Sequence, residues 1–439
     1  MAALFIAMVG PALPAIGEDF GVNERMLSWV FNAFVLFNLV GVPLMSKLSD
    51  VYGRRPVYAA DVALFAAGSL VVALAPSFMV LLVGCALQGL AASGIFPVAS
   101  AVVGDVFPPE RRGGALGALG AVFGVAFIIG PIVAGILLLF GWRWLFVVNL
   151  PIAAFVFAAS LRLLPARRPG AAKPLDWPGM AALGLMLMAL AYGVNQIDTE
   201  HFAASLRNPR LWMSLGAAAV LFPLFIAVER RAEDPVVRLR LFDSRQVVLA
   251  SLLAAGAGMT EAAFVFFPAL AVTAFEVTQS TASFMLLPLV FAVAVASPIV
   301  GRVLDRVGSK VIVIASTGLL TLGLLTVGVG GESRALFYGG SVLLGLGLAG
   351  LLGSALAYIL LHEAEATERT VAQGVITLFI SIGQLTGSAF IGAVAASEGG
   401  SARGYQSAIL IIAAIGFVLT LLALGLKNRA EEQKTLHAE

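Results

Sequence analysis

The sequence predicts an all-α polytopic membrane protein, and its composition is the first reason. Of the 439 residues, 60% are hydrophobic and 12% are charged, whereas a soluble globular chain has about 25% charged residues. A soluble chain of this composition would expose large apolar patches and aggregate. The 47 glycines fit a membrane protein, because small residues let helices approach closely in lipid.

Fourteen apolar runs are the second reason, since a helix needs about 20 mostly apolar residues to cross about 30 Å of hydrocarbon. The first run starts at Met1 without a basic leader and thirteen others follow it, which favours a true first helix over a signal peptide. The predicted spans cover residues 1–17, 28–46, 57–75, 79–103, 114–139, 144–165, 178–196, 211–228, 246–275, 279–300, 311–330, 335–361, 371–396 and 404–426.

The distribution of basic residues predicts the orientation of these spans. With the N-terminus in the cytoplasm, 21 of the 27 lysines and arginines fall in cytoplasmic loops and the tail, and six fall outside. Basic residues accumulate on the cytoplasmic side of membrane proteins. Both termini are therefore expected in the cytoplasm, and the chain in the plasma (inner) membrane.

A short loop pattern occurs twice, after the second predicted span and after the second span of the last six. In both copies an aspartate stands three residues before a glycine and five before a basic residue, in segments 46–55 and 301–310. Many secondary transporters consist of duplicated six-span halves. The repeat predicts two six-helix bundles, residues 1–165 and 246–439, with two additional transmembrane helices and cytoplasmic linkers in residues 166–245.

Several motifs, found in order along essentially the whole chain, resemble the major facilitator superfamily and its fourteen-span drug:proton antiporter family. Segment 46–55 is similar to the loop signature of the superfamily, and Gly130–Gly135 resembles the antiporter motif of its fifth span. The other matching segments are 88–92, 107–113, 142–144 and 149–151. The resemblance implies a major facilitator fold of two six-helix bundles plus two extra central helices. It also implies a transporter that works by alternating access.

The repeated loops hold the residues expected to gate the conformational change: Asp50, Gly53, Arg54, Arg55, Asp305 and Gly308. Asp50 is expected to accept hydrogen bonds from the N-terminus of a neighbouring helix, where the N–H groups carry partial positive charge. Arg54 and Arg55 are expected to pair with carboxylates across the cytoplasmic seam in one conformation only. The alternative is a topological anchor that holds the loop in the cytoplasm.

The antiporter-like motif, Gly130, Pro131 and Gly135, predicts a kinked and closely packed fifth helix. Pro131 leaves the carbonyl four residues earlier without its intrahelical donor, and the glycines let another helix approach. The resemblance implies that this motif accompanies export rather than import.

Glu261 is the leading candidate for proton coupling or substrate binding. A carboxylate at the centre of a membrane helix costs on the order of 2.5–3.5 kcal/mol on insertion scales, so such a residue is a functional candidate by default. Glu261 lies near the middle of the ninth span and shares a face with Ala254, Ala257 and Gly258. Burial penalises the charged form, so Glu261 is expected to exchange a proton or to attract a cation. The alternative is a protonated tie between helices.

Two further polar residues are candidates for proton coupling or substrate binding. Asp61 lies about one turn inside the third span and is expected to reach water or an arginine of the adjacent loop, in either a structural or a functional role. Gln88, in the fourth span, is expected to line a cavity or to join helices by a hydrogen bond.

The resemblance implies a secondary active transporter that exports amphipathic or cationic small molecules by proton antiport. A monomer is expected, with no cofactor or metal and with the proton gradient as energy source. Three positions depart from the family pattern. Cys85 replaces the span-four arginine, Phe5 occupies the place of the span-one acid, and Ser46 replaces the first loop glycine. The first two departures put the usual route of proton coupling in doubt.

Other functions remain as alternatives. A proton-independent facilitator, or an exporter dedicated to one metabolite or lipid, has the same overall pattern. A receptor or assembly partner is disfavoured because no loop is long enough for a soluble domain. An enzyme is not expected, since no nucleophile–base pair, phosphate loop or metal cluster is evident, and the absence of a P-loop excludes an ATP-driven pump. The net charge of +2 is too small to suggest nucleic acid.

Overall fold

The fold is all-helical in the part of the chain that the structure describes. The computed structural model describes residues 2–106, 122, 125–164, 176–232, 235–363, 369–429 and 431. Within these ranges, twelve helices are long and apolar enough to cross a membrane. The prediction of a polytopic membrane protein is confirmed.

The described residues form α-helices of very different length. In chain order they are α1 (Ala2–Phe20), α2 (Glu24–Tyr52), α3 (Arg54–Ala73), α4 (Phe78–Val106), α5 (Val125–Leu137), α6 (Trp144–Val147), α7 (Asn149–Leu163), α8 (Trp177–Asn195), α9 (Phe202–Ser205), α10 (Pro209–Glu229), α11 (Arg245–Phe275), α12 (Gln279–Phe284), α13 (Leu287–Val307), α14 (Ser309–Val329), α15 (Arg334–Gly350), α16 (Leu356–Glu363), α17 (Arg369–Ser397) and α18 (Ala402–Ala423). A 3₁₀ helix, Leu239–Asp243, precedes α11, and a π-helical turn, Leu351–Ala355, joins α15 to α16.

Most predicted spans agree with these helices to within a few residues. The predicted fifth span is described from residue 125, and the twelfth consists of α15, the π-helical turn and α16. Because α5 and α15 are shorter than the other spanning helices, the count of fourteen spans stays a prediction. The two additional central helices and the division at residues 165 and 245 stay predictions as well.

The chain forms two compact units. Unit 1 comprises Met1–Val22, Met26–Leu190 and Met213–Val236, and unit 2 comprises Asn23–Arg25, Ala191–Trp212 and Val237–Glu439. Both units thus include segments that are distant in sequence.

Unit 1 is built around a close crossing of α3 and α4. A Cβ atom on Gly68 would lie 2.9 Å from the carbonyl oxygen of Gly84, and a Cβ atom on Gly84 would lie 3.0 Å from that of Gly68. Neither position has room for a side chain, so the two backbones touch directly. This contact brings together the polar residues on the facing sides of α3 and α4, and the line along which the two helices touch is called the seam.

Unit 2 contains a similar crossing of α11 and α17. A Cβ atom on Gly258 would overlap the carbonyl oxygen of Ile380, and one on Gly383 would overlap that of Ala255. On another side of α11, Gly256 accommodates Leu419 of α18. The inner part of α11 is therefore enclosed by two neighbouring helices.

The predicted loop repeat has the same backbone geometry in both copies. Gly53 ends α2 with φ 96° and ψ 157°, and Gly308 ends α13 with φ 85° and ψ 167°. Each glycine N–H donates to the carbonyl four residues earlier, at 3.1 and 2.9 Å. L-residues rarely adopt this positive φ, which explains why glycine stands at the same place in both loops.

A substitution of Gly383 by alanine tests the crossing of α11 and α17. We expect Gly383→Ala to lower the free energy of unfolding by about 1–3 kcal/mol, because overpacking forces the backbones apart. The measurement is thermal unfolding of the purified protein in detergent. Gly374, on the same helix, has no neighbouring atom within 4 Å of the place that a Cβ atom would take, so Gly374→Ala is the matched control. Equal melting temperatures for both variants would contradict the packing.

Candidate functional site

The carboxyl group of Glu261 lies in unit 2, at the crossing of α11 and α17. Its side chain is hydrogen-bonded to the side chain of Gln384. Gly258, one turn earlier on α11, faces Ile380 and Gln384 across the crossing. Glu261 therefore lies on the small-residue face of α11, where the sequence places it. Among the described residues, no lysine or arginine forms an ion pair with it.

The aromatic residues after Glu261 belong to the core of unit 2. The ring of Phe266 lies 6.4 Å from that of Tyr405 on α18, and the ring of Phe267 lies 5.7 Å from that of Phe337 on α15. These contacts fix α11 beyond Glu261, near Pro268, which cannot donate to the carbonyl of Phe264. The two phenylalanines act as packing residues here.

Gln88 of α4 is fully buried and bonds across the seam of unit 1. Its Nε2 donates to Oγ of Ser69 on α3 at 2.8 Å, and its Oε1 has no hydrogen-bond partner among the described residues. Gln88 thus joins two helices while one acceptor remains unused. The sequence indicates the buried amide but not its partner Ser69.

Asp61 of α3 lies in the same seam, and its surroundings differ from those expected from the sequence. The residue is 1% exposed, so it does not reach water. Its Oδ2 has no hydrogen-bond partner among the described residues. Arg54, one of the two arginines of the adjacent loop, donates to Asp50 and Ser49. The expected exposure and arginine pairing of Asp61 are wrong in this part of the structure.

The loop after α2 is held by a local network. Arg54 pairs with Oδ1 of Asp50 at 2.5 Å and donates to Oγ of Ser49 at 2.6 Å. Among the described residues, Asp50 therefore accepts from its own loop rather than from a neighbouring helix N-terminus as expected. The spacing of four residues across the Gly53 turn favours this local pair. The side chain of Asp305, in the second copy, lies outside the described residues.

Gly130 of the kink motif, and Phe5 and Cys85, which depart from the family pattern, lie in packed regions of unit 1. A Cβ atom on Gly130 would overlap Cβ of Ala7, so α5 packs closely on α1. Phe5 stacks on Phe34 with ring centroids 4.1 Å apart, and Cys85 is fully buried. The place expected to hold an acid is therefore filled by an aromatic pair. The predicted motif segment 107–113 lies outside the described residues.

Sequence reasoning misses two polar networks in unit 2. Nδ2 of Asn195 donates to the carbonyl of Arg25 at 3.1 Å and to that of Ala389 at 3.2 Å. Glu363 accepts from Oγ of Ser244 at 2.8 Å and pairs with Lys427. In the first network the partners are 170 and 194 residues apart, so no local pattern signals them.

The described residues show no group of three or more His, Cys, Asp and Glu side chains that could hold a metal ion. The candidate sites are instead two carboxyl groups inside membrane helices, Glu261 in unit 2 and Asp61 in unit 1, each beside a polar or small residue of a crossing helix. Each such group can hold a proton or attract a cation.

The sequence profile of the Major Facilitator Superfamily matches residues 1–259 and 247–439, which together cover the chain. The chain belongs to the Major Facilitator Superfamily. It is thus a multi-pass membrane transporter of that superfamily, and the coarse family expectation is confirmed.

Curated relatives of this superfamily member carry transporter names. It is 32% identical over 389 residues to the uncharacterized MFS-type transporter YfiU of Bacillus subtilis (strain 168), covering 87% of this chain and 75% of the relative. It is 31% identical over 402 residues to the multidrug resistance protein Stp of Mycobacterium tuberculosis (strain CDC 1551 / Oshkosh), covering 89% and 72%. The multidrug transporter protein MdtP of Bacillus subtilis (strain 168) is 28% identical over 413 residues, covering 91% and 74%.

Solved structures of other transporters share the fold. The human organic anion transporter MFSD10 (TETRAN) has a TM-score of 0.61 and 18% identity, covering 96% of this chain and 97% of the other. The nucleoside transporter NupG has a TM-score of 0.67 and 14% identity, covering 96% of each chain. At these identities the likeness concerns the fold alone.

The contact between Gly94 of α4 and Asp61 yields a double-mutant test. A Cβ atom on Gly94 would overlap Oδ2 of Asp61, so Gly94→Ala is expected to lower the free energy of unfolding by about 1–3 kcal/mol. Adding Asp61→Ala removes the clash, and the double variant is expected to be more stable than Gly94→Ala alone. Thermal unfolding of the four proteins gives the coupling free energy. Additive effects of the two substitutions would contradict the contact.

Proposed function

We propose that this chain is a secondary active exporter of amphipathic or cationic small molecules, driven by proton antiport through alternating access. The observation that carries the proposal is Glu261, a carboxyl group inside a membrane-spanning helix whose side chain bonds to Gln384 and forms no ion pair among the described residues. Such a group has two stable partners in a membrane, a proton or a cationic substrate. The two exclude each other.

Because a proton and a cationic substrate exclude each other at Glu261, their movements are coupled. When Glu261 holds a proton it is neutral and does not attract a cation. When it releases the proton, its negative charge favours a cation in the same place, because an unpaired charge in apolar surroundings is strongly disfavoured. Proton and substrate therefore bind in turn, and a gradient of one drives movement of the other. Gln384 orients the carboxyl group by its hydrogen bond in this exchange.

The names of the relatives support the substrate class. Stp is named a multidrug resistance protein and MdtP a multidrug transporter. Together with the motif resemblance, these names favour membership of the fourteen-span drug:proton antiporter family, with two additional central helices, in the plasma (inner) membrane and with both termini in the cytoplasm. We propose a monomer with no cofactor, and Asp61 and Gln88 as further polar groups of the transport path.

The remaining motifs have proposed roles in the conformational change. The loop residues Asp50, Gly53, Arg54 and Arg55, with Asp305 and Gly308 in the second copy, are proposed to gate the cytoplasmic side. The local pair of Arg54 with Asp50 supports a modified form of this idea, in which the arginine exchanges partners between conformations. Gly130, Pro131 and Gly135 are proposed to provide the kinked helix that accompanies export.

A facilitator is the second candidate function. It is favoured by the stacked pair Phe5–Phe34 at the place where the family resemblance implies an acid. Without that acid, coupling depends on other carboxyl groups. A chain whose carboxyl groups only tie helices together would move its substrate down a gradient without protons.

Transport of ethidium into proteoliposomes distinguishes these functions. With an acidic lumen, outward proton flow is expected to drive accumulation of the dye by the wild type. Glu261→Gln keeps the shape and the hydrogen-bonding capacity but cannot exchange a proton, so accumulation is expected to fall to the level of protein-free vesicles. Fluorescence of the dye and of a lumenal pH indicator follows both movements.

The matched control is Glu332→Gln, which removes an exposed carboxylate from the turn between α14 and α15. This variant is expected to transport like the wild type. Dye movement by the wild type that ignores the pH gradient would support the facilitator instead. Gradient-driven transport by Glu261→Gln at the wild-type rate would exclude Glu261 as the coupling acid.

A further inference from the structure

Asp61 occupies a cramped site in the seam of α3 and α4. Gly94 of α4 leaves the space for this carboxyl group. A Cβ atom on Gly94 would overlap Oδ2 of Asp61 and would lie 2.6 Å from Cγ of Asp61. The same Cβ atom would lie 2.9 Å from Cβ of Met45 on α2, so three helices meet at this point. The carboxyl group thus lies tightly against the backbone at Gly94, and the residue is 1% exposed.

No counter-charge reaches this carboxyl group among the described residues. Tyr58, one turn earlier on α3, interacts with it electrostatically. The other titratable or charged groups with described side chains on α2, α3, α4 and α7 form no ion pair with it: Glu24, Arg25, Lys47, Asp50, Tyr52, Arg54, Arg55, Cys85 and Arg162. A buried carboxylate without a counter-charge is strongly disfavoured, so the neutral, protonated form is the one that fits this conformation.

A purely structural role does not account for the aspartate. A structural carboxyl group would tie helices together through its oxygen atoms, yet Oδ2 has no hydrogen-bond partner among the described residues. By contrast, Gln88 in the same seam does bond across to Ser69. Asp61 also lies only seven residues, about 10 Å, from the start of α3. A small separation of the seam therefore brings water to it and lets the proton leave.

We propose that Asp61 is a second proton-binding site, carried by unit 1, so that two protons move for each monovalent cation exported. The inference deepens the proposed function and rests on it. Asp61 takes up its proton from the outer side while the seam is closed towards the start of α3, and it releases the proton to the cytoplasm when the seam opens there to water. Glu261, in unit 2, binds the other proton or the substrate.

This stoichiometry makes transport sensitive to the membrane potential. Two protons moving one way and one cation moving the other transfer one net positive charge per cycle. With Glu261 alone, one proton exchanges for one monovalent cation and no net charge moves. The potential is therefore the readout that separates one proton site from two.

The experiment uses ethidium and proteoliposomes at equal pH on both sides, with an inside-positive potential imposed by valinomycin and a potassium gradient. That potential opposes passive entry of a cation, so lumenal accumulation reports coupled transport. We expect accumulation by the wild type and by Glu332→Gln. Asp61→Asn is expected to lose this response but to keep accumulation driven by an acidic lumen, and Glu261→Gln is expected to lose both.

The outcomes separate the two proposals. If the wild type responds to the pH gradient but not to the potential, or if Asp61→Asn keeps the potential response, the second site is excluded and the proposed function stands. If the wild type responds to neither, the proposed function fails. Counting the protons that leave the lumen for each ethidium taken up by the wild type does not depend on a variant. Two protons per dye molecule are expected, and one proton per dye molecule would overturn the proposal.

Discussion

The direct contact of the α11 and α17 backbones is the constraint on which the candidate site depends. Lipid tails provide no hydrophobic force between membrane helices, so close packing must hold them together. Gly258 and Gly383 allow that approach, because a Cβ atom on either would overlap a carbonyl oxygen of the other helix. The contact holds Gln384 beside Glu261 and so places a carboxyl group next to a polar partner in an otherwise apolar region.

The two carboxyl groups inside the membrane helices lie in different surroundings, and their proposed roles follow from this difference. Glu261 has a hydrogen-bond partner in Gln384 of the crossing helix α17. Asp61 is enclosed by Gly94 and Met45 and has an unbonded oxygen among the described residues. In the proposal, the polar partner lets Glu261 bind either a proton or a substrate, whereas the close packing beside Gly94 leaves Asp61 with a proton alone.

The spans and the loop repeat are predictable from sequence because local physics determines them. A run of about 20 apolar residues has few alternatives in lipid, and the positive φ of Gly53 and Gly308 selects glycine. The partners of buried polar groups are not predictable in this way. Asn195 bonds to carbonyl groups far along the chain, and Asp61 lacks the arginine that its nearness to the loop suggests. Such outcomes depend on tertiary packing, which no linear pattern contains.

Competition between a proton and a cationic substrate for Glu261 is the step on which the proposed transport depends. Binding of ethidium to the purified protein in weakly buffered detergent solution tests this competition directly, with proton release followed by a pH indicator. We expect the wild type to release protons as it binds the dye, and Glu261→Gln to release fewer. Binding by the wild type without proton release, or equal release by both proteins, would contradict the competition.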